Sequence, residues 1–282
     1  MSVRKYFRLV AFSHTVFALP FALIALVVAA HGLPPLRILL LLLVCMVMAR
    51  NSAMAFSRLA DRHYDKANPR TANRPLPSGE LTPRAVGLFV AVNAGIFLAA
   101  AYGINRLAFS LSPIALALIF FYSFTKRFTW LSHWVLGACL AVAPVGAWIA
   151  ATGTIGLPGI LLSAAVAFWV AGFDILYSLQ DIAFDRSAGL FSLPARWGMG
   201  TALWTSRVCH LGCVLLLWVF GIAAGLSALY FYGLAGIAVL MSFQHFLVRG
   251  SDLSKMGTAF FTVNGWVSIV MLLLVVVDVF MF

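Results

Sequence analysis

The chain has 282 residues, of which 63% are hydrophobic and 10% are charged, and its mean hydropathy is +1.02. Soluble domains carry about 25% charged residues, so this composition excludes an ordinary soluble domain and indicates a protein that lies in a lipid bilayer. The net charge of +11 does not indicate nucleic-acid binding, because the basic residues lie in loops beside apolar segments and not on one soluble face.

Nine apolar segments are long enough to cross a bilayer, which takes about 20 helical residues. They predict an all-α integral membrane protein with nine transmembrane helices. No linker rich in Ser, Gly or Pro interrupts the segments, so we predict one domain over residues 1–282. The segments are 9–30, 36–60, 84–104, 107–125, 132–152, 157–180, 203–223, 226–247 and 258–280.

Basic residues are distributed unevenly between the two ends of these segments. If the N-terminus lies in the cytoplasm, nearly all Lys and Arg residues fall on the cytoplasmic side, and Arg37 and Arg106 are left outside. Because positive residues in short loops are retained in the cytoplasm, the sequence predicts a cytoplasmic N-terminus. Nine spans then place the C-terminus outside.

The acidic residues form two groups at ends of predicted helices. Asp61 and Asp65 end the second helix, and Asp174, Asp181 and Asp185 lie at the end of the sixth. Both groups contain the pattern D-x-x-x-D, and residues four apart share one face of a helix. Both helix ends are on the predicted cytoplasmic side, so we expect them to converge on one acidic site.

Paired carboxylates beside basic residues suit a metal ion together with a phosphate. Mg²⁺ takes one or two carboxylates and completes its octahedron with water and substrate phosphates, and Arg and Lys bind phosphate oxygens. A diphosphate substrate for a site inside a membrane protein is expected to carry an apolar tail, which favours polyprenyl diphosphate. The candidate phosphate ligands are Arg58, Arg62, Lys66, Arg70, Arg74, Lys126 and Arg127.

Structural roles compete with these interpretations. Asp61 and Asp65 alone are equally compatible with helix capping or surface ion pairs, and each basic loop residue is equally compatible with a marker of membrane topology. Asp174 is different, because it lies about 10 Å deeper along the sixth helix than Asp181. Acidic residues at such depth are usually functional.

Three stretches resemble motifs of the UbiA superfamily of intramembrane prenyltransferases. "SRLADRHYDKANPRTANRPLPSG" (57–79) is similar to the first motif, N-D-x-x-D-x-x-x-D with a following R-T-x-x-R-P-L-P loop. "DILYSLQDIAFD" (174–185) is similar to the second, D-x-x-Y-x-x-x-D-x-x-x-D, and "YSFTKRFT" (122–129) matches a Y-x-x-x-K element. Segments 12–23 and 260–268 resemble the 4-hydroxybenzoate polyprenyltransferase branch and its menaquinone-pathway relatives.

The resemblance implies a bundle of nine helices around a central cavity and a Mg²⁺-dependent transfer of a prenyl group to an aromatic ring. It implies that Mg²⁺ is held by Asp61, Asp65, Asp181 and Asp185. Lys126 is then a further contact to the leaving diphosphate, with Arg58, Arg70 and Arg127 as additional substrate-binding candidates.

Three further residues have roles that the resemblance leaves open. Tyr122 and Tyr177 are the nearest aromatic rings that can stabilise an allylic carbocation, although Tyr177 is equally compatible with core packing. Asp174 either orients Tyr177 or an amine, which we favour, or accepts the ring proton of the aromatic substrate.

The chain departs from the family pattern at the start of the first motif. Ser57 and Arg58 stand where the family usually has Asn and Asp, so the safer set of metal ligands has two aspartates per motif. Asn51 lies six residues before Ser57 on a different helix face, which does not favour it as a replacement.

These observations predict a prenyltransferase of a bacterial inner membrane, with its active site facing the cytoplasm, that joins a polyprenyl diphosphate to an aromatic acid such as 4-hydroxybenzoate. An ion-coupled transporter is the competing interpretation, since transporters also carry intramembrane carboxylates. It is disfavoured because the acidic residues lie at helix ends beside a basic loop. The sequence specifies neither the acceptor, the prenyl length nor the oligomeric state.

Overall fold

The computed structural model describes residues 3–10, 18–248, 253 and 255–282, and this part of the chain is helical, without strands. A 3₁₀ turn (Ser178–Asp181) follows the eighth helix, and a π-helix (Thr258–Val263) precedes the last. The α-helices are α1 (Val3–Leu9), α2 (Ala18–Ala30), α3 (Leu36–Ala60), α4 (Arg62–Ala67), α5 (Pro83–Ile104), α6 (Arg106–Thr125), α7 (Ser132–Thr152), α8 (Leu157–Tyr177), α9 (Ile182–Ser187), α10 (Leu193–Ala223), α11 (Ala228–Leu247) and α12 (Asn264–Met281).

Eight helical segments of the described residues are long and apolar enough to cross a membrane. The prediction of an all-α membrane protein is therefore confirmed, and α3 and α7 have the predicted bounds. The first predicted span, 9–30, is described only as α2, because residues 11–17 lie outside the described part.

The seventh predicted span was too short at its start, since α10 begins at Leu193 and not at 203. Ser192 caps the helix by accepting a hydrogen bond from the Ala195 amide, and Pro194 lies in its first turn. Gly198 interrupts the helix with φ 81°, a conformation that glycine adopts without the strain of a side chain. The first ten residues of α10 have low hydropathy, so apolar length alone does not predict that they are helical.

Helix α8 lies at the centre of the bundle, between α7 and α10. Its Trp169 is fully buried and donates a hydrogen bond to Oδ1 of Asn264 at 3.1 Å, which ties α8 to α12. On the outside, large apolar residues such as Trp204 and Leu211 are exposed, as expected where lipid replaces water as the solvent.

Helices α7 and α8 approach each other closely at Gly137. A Cβ atom at this position would overlap the carbonyl oxygen of Ala167 on α8, so only glycine fits. Small residues allow such contacts between membrane helices. The contact fixes the spacing of two helices whose ends enter the candidate site.

Candidate active site

Each acidic motif crosses a break between two helices. α3 ends at Ala60, and Asp61 adopts φ −93° and ψ 10° before α4 begins. α8 ends at Tyr177, and Asp181 adopts the similar φ −102° and ψ 3° before α9. The expectation that each D-x-x-x-D pair ends the long helix is therefore wrong, because the first aspartate is itself the bridge-region residue at the break and the second lies in the short helix that follows.

The second aspartate of each pair is buried in the short helix that follows the break. Asp65 on α4 is 8% exposed and Asp185 on α9 is 2% exposed. Buried carboxylates need cationic or hydrogen-bonding partners, and both motifs provide them.

In the first motif, Asp65 accepts a hydrogen bond of 2.7 Å from Nη1 of Arg74, and Nη1 of Arg58 lies 4.0 Å from its other oxygen. Asp61 accepts a hydrogen bond of 3.1 Å from Nη2 of Arg127 and one of 3.4 Å from the Ser57 hydroxyl. Both carboxylates are thus held among guanidinium groups.

In the second motif, Nη2 of Arg70 donates to both oxygens of Asp181 at 2.9 Å, and its Nη1 donates to the Tyr177 hydroxyl at 3.2 Å. Nζ of Lys126 lies 3.6 Å from Oδ2 of Asp185. Arg70 belongs to the loop of the first motif, so this side chain joins the two motifs directly.

The end of α6 makes the second connection between the motifs. The adjacent residues Lys126 and Arg127 contact Asp185 and Asp61, respectively. The predicted convergence of the two helix ends is thus present in the structure. Arg62, another candidate phosphate ligand, instead donates to the carbonyl oxygen of Leu59.

The two predicted tyrosines lie beside these ion pairs. The Tyr177 ring packs on Phe260 of the π-helix, with ring centroids 4.2 Å apart, and the Arg70 guanidinium lies 5.8 Å from its centroid. Tyr122 lies near the end of α6, about one helical turn before Lys126. π-helical turns occur frequently at functional sites, and this one supplies the packing partner of Tyr177.

Asp174 has a partner that sequence reasoning missed. Its Oδ2 lies 2.7 Å from Nδ1 of His133, a fully buried residue in the first turn of α7, whereas the Tyr177 hydroxyl contacts Arg70. The favoured role of Asp174 was to orient Tyr177 or an amine, and the contacts do not show that it orients Tyr177. A lone histidine beside an apolar helix gives no signal of its function, and only the fold brings it to Asp174.

Two positions near the first motif were left open by the sequence. The Ser57 hydroxyl donates to Asp61, whereas the Asn51 side chain donates to Oδ1 of Asn93 on α5 at 3.2 Å. Asn51 is thus engaged away from the carboxylates.

The ionisation of two loop residues reflects these contacts. Burial raises the pKa of the Asp61 carboxyl above its usual range, and the hydrogen bond from Arg127 opposes this shift. Burial lowers the pKa of Arg70, but the Asp181 carboxylate and Tyr177 outweigh it, so the pKa is raised and the guanidinium stays charged.

The donor set fits Mg²⁺ that is shared with a phosphate. Oδ2 of Asp65 and Oδ2 of Asp185 are buried and accept no hydrogen bond from the described residues. Within the same part of the chain, no three acidic, His or Cys side chains come together as a closed metal site. Mg²⁺ needs only one or two carboxylates and takes its remaining ligands from water and substrate.

Comparison with known proteins assigns the family. Residues 18–273 match the UbiA prenyltransferase family. The chain is 34% identical over 225 residues to a 4-hydroxybenzoate octaprenyltransferase of Aeromonas salmonicida, covering 80% of this chain and 78% of the relative. It is 30% identical over 254 residues to that of Nitrosospira multiformis, covering 89% and 86%.

Solved structures have the same fold. An apo UbiA homolog from Aeropyrum pernix K1 has a TM-score of 0.83 and 34% identity, with 94% of this chain and 98% of the homolog covered. A UbiA homolog from Archaeoglobus fulgidus, bound to GPP and Mg²⁺, has a TM-score of 0.75 at 21% identity, with 98% and 99% covered. This protein is an intramembrane prenyltransferase by its family match and its fold. It belongs to the UbiA prenyltransferase family.

Proposed function

We propose that this protein transfers a polyprenyl group from polyprenyl diphosphate to an aromatic acid, 4-hydroxybenzoate or a similar quinone precursor, in a Mg²⁺-dependent reaction that releases diphosphate. One observation carries the proposal: Arg70, Lys126 and Arg127 connect the two acidic motifs at a single place. This arrangement sets carboxylates for a metal beside cations for a diphosphate.

Asp61, Asp65, Asp181 and Asp185 are the residues that would hold Mg²⁺. When bound, the metal supplies positive charge that stabilises the diphosphate leaving group. Arg58, Arg70, Lys126 and Arg127 bind the diphosphate oxygens, for which their carboxylate contacts leave donors available. Their charges oppose the negative charge that grows on the diphosphate as its bond to the prenyl carbon breaks.

The tyrosines act on the prenyl side of the site. Tyr122 and Tyr177 present aromatic rings to the allylic carbocation, which a ring face attracts electrostatically. Phe260 holds the Tyr177 ring from one side, and Arg70 fixes its hydroxyl. The surrounding apolar helices exclude water, which would otherwise consume the cation.

The relatives support the same chemistry. The Aeromonas salmonicida and Nitrosospira multiformis proteins are named for the prenylation of 4-hydroxybenzoate, and the Archaeoglobus fulgidus homolog holds GPP with Mg²⁺. The carboxylates and cations of this chain are the residue types that such ligands need.

The test is an activity screen of the purified protein in lipid vesicles. Prenyl diphosphates of graded length are combined with 4-hydroxybenzoate and a dihydroxynaphthoic acid, and diphosphate release and prenylated product are measured with Mg²⁺ or with EDTA. We expect product with at least one pair of substrates in the presence of Mg²⁺ only. Solute transport along an ion gradient without diphosphate release would contradict the proposal.

We also propose that residues 1–282 form one domain with nine spans in the bacterial inner membrane, with the N-terminus and active site facing the cytoplasm and the C-terminus outside. The positive-inside bias supports this orientation. In a background whose four native cysteines are replaced by alanine, Ser78→Cys should react with an impermeant thiol reagent only in inverted vesicles. Thr154→Cys, which is also exposed, should react only from the opposite side. The reverse pattern would contradict the orientation.

A further inference from the structure

His133 connects two parts of the chain through its two ring nitrogens. Nε2 lies 3.3 Å from the backbone nitrogen of Leu193, at the start of α10, and Nδ1 lies 2.7 Å from Oδ2 of Asp174. A backbone N–H can only donate a hydrogen bond. Nε2 must therefore accept, which places the proton of the neutral ring on Nδ1, where it is donated to Asp174.

This arrangement leaves Asp174 with two different oxygen atoms. Oδ2 is fixed by the buried imidazole, whereas Oδ1 accepts no hydrogen bond from the described residues. The Asp174 side chain is 17% exposed, while that of His133 is fully buried. An accessible carboxylate oxygen on a fixed carboxylate has the properties of a proton acceptor.

Asp174 lies further into α8 than the ion pairs. It is about one helical turn before Tyr177, whose hydroxyl is held by Arg70, and seven residues before Asp181. An aromatic acceptor that meets the prenyl carbon beyond the diphosphate is expected to come close to this part of α8.

We propose that His133 is a positioning residue, which holds Asp174 so that Oδ1 accepts the proton that the aromatic ring loses during prenylation. This inference rests on the proposed prenyl transfer. The bond from the prenyl carbon to the diphosphate oxygen breaks and its electron pair leaves with diphosphate. A ring carbon forms the new C–C bond, and its proton passes to Oδ1 while the C–H electron pair restores the aromatic ring. His133 stays neutral throughout.

Two amide substitutions separate the two contacts of His133. In His133→Asn, the amide nitrogen lies near the place of Nδ1 and can still donate to Asp174. In His133→Gln, the longer side chain puts its oxygen near the place of Nε2, where it can accept from Leu193 but cannot hold Asp174. Each variant is measured for kcat, for the KM of the prenyl diphosphate and for thermal unfolding in detergent.

We expect His133→Asn to keep kcat within about threefold of the wild type, and His133→Gln to lower kcat by about 10- to 100-fold, the usual cost of a small misplacement of a reacting group. The KM of the prenyl diphosphate should not change in either. With the ring-deuterated form of the best acceptor from the activity screen, His133→Gln should also show a primary isotope effect that is larger than in the wild type, because proton loss has become slower.

Equal kcat for His133→Gln and the wild type would overturn this proposal and leave the proposed prenyl transfer intact. Equal loss in both variants, with a lowered unfolding temperature and no change in the isotope effect, would show that His133 serves only the packing of α7 against α8 and would also overturn it. If the wild-type protein showed no turnover with any acceptor in the activity screen, prenyl transfer itself would be contradicted. The screen comes before the comparison of variants, so the two failures are distinguishable.

Discussion

The two acidic motifs have the same backbone design, but only in the first is an aspartate paired with a cation of its own loop. In each, the first aspartate lies at a helix break and the second is buried in a helix of six residues. Asp65 is neutralised from within its own loop by Arg74. Asp61, Asp181 and Asp185 are neutralised from elsewhere in the chain, by Arg127, Arg70 and Lys126, respectively.

This difference suggests two roles for the basic residues: a cation from the same loop stabilises the fold, and a cation from a distant segment binds substrate. Arg74 is a local partner that holds the first loop in shape, together with the hydrogen bond of 2.8 Å from Thr71 to the Asp65 carbonyl oxygen. Arg70 and Lys126 come from other segments than the aspartates that they contact, and we propose that they bind the diphosphate. We therefore expect loss of the first kind to affect folding and loss of the second kind to affect substrate binding.

The largest effects are expected from the aspartates, for which the two motifs should behave alike. We replace one of Asp61, Asp65, Asp181 and Asp185 with Asn in each variant. The change removes the negative charge of a carboxylate that would bind the metal, and it should lower turnover by about 100- to 1,000-fold. Glu80→Gln is the control, because Glu80 pairs with Arg8 outside both motifs, and it should keep wild-type turnover. Near-normal rates in any two of the four variants would contradict the metal assignment.

Arg70 and Arg74 provide the sharpest test of the comparison. Arg70→Ala should raise the KM of the prenyl diphosphate by about 10- to 150-fold, since a hydrogen bond to a charged group contributes roughly 1.5–3 kcal/mol. Arg74→Ala should instead lower the unfolding temperature, because it leaves the buried Asp65 carboxylate without its close partner. If Arg74→Ala changed KM and Arg70→Ala changed only stability, the distinction between local and distant cations would be wrong.

Arg58 should show a smaller effect of the same kind. Among the described residues, its one ion-pair contact is with Asp65 and is long at 4.0 Å, and its side chain is 19% exposed. The guanidinium is thus available to an anion, and Arg58→Ala should raise the KM of the prenyl diphosphate about tenfold at unchanged unfolding temperature. Arg58→Lys, which keeps the charge but not the fork, should fall between Arg58→Ala and the wild type. Unchanged KM in both variants would exclude Arg58 from phosphate binding.

Ser57 should show the smallest effect. Its hydrogen bond to the Asp61 carboxylate is long, at 3.4 Å, so we expect it to contribute no more than an ordinary hydrogen bond, about 0.5–1.5 kcal/mol. Ser57→Ala should therefore change the rate by less than about tenfold, and Ser57→Asn, which restores the usual family residue, should keep activity. A loss in Ser57→Ala as large as that in Asp61→Asn would place position 57 in the essential site.

The sequence predicted most of the helical architecture because apolar runs in a membrane protein have nearly the length of the helices. The bounds of α3 and α7 agree residue for residue. The breaks at Asp61 and Asp181 could not be predicted, because D-x-x-x-D spacing is the same in a continuous helix and across a bridge-region residue. The early start of α10 was missed because hydropathy was used alone, although the Ser192 cap and Pro194 are recognisable helix-start signals.

The residue types of the candidate site were predictable, but their pairing was not. Clustered aspartates and basic loops are visible in the sequence, whereas the contact of Arg70 with Asp181 joins positions more than 100 residues apart. His133 illustrates the same limit, since neither nearby charge nor a motif marks it. Only the packing of α7 against α8, and the arrival of Leu193, give it two partners.

The close contact between Gly137 and Ala167 has a consequence for the order of assembly during synthesis. α7 and α8 are consecutive helices joined by a short turn, so they can dock as a hairpin as soon as α8 has entered the membrane. Lipid offers no hydrogen bonds that compete with the pairing of His133 and Asp174. We therefore expect the hairpin to form this pair before α10 is inserted, so that the amide of Leu193 selects the ring tautomer when it arrives.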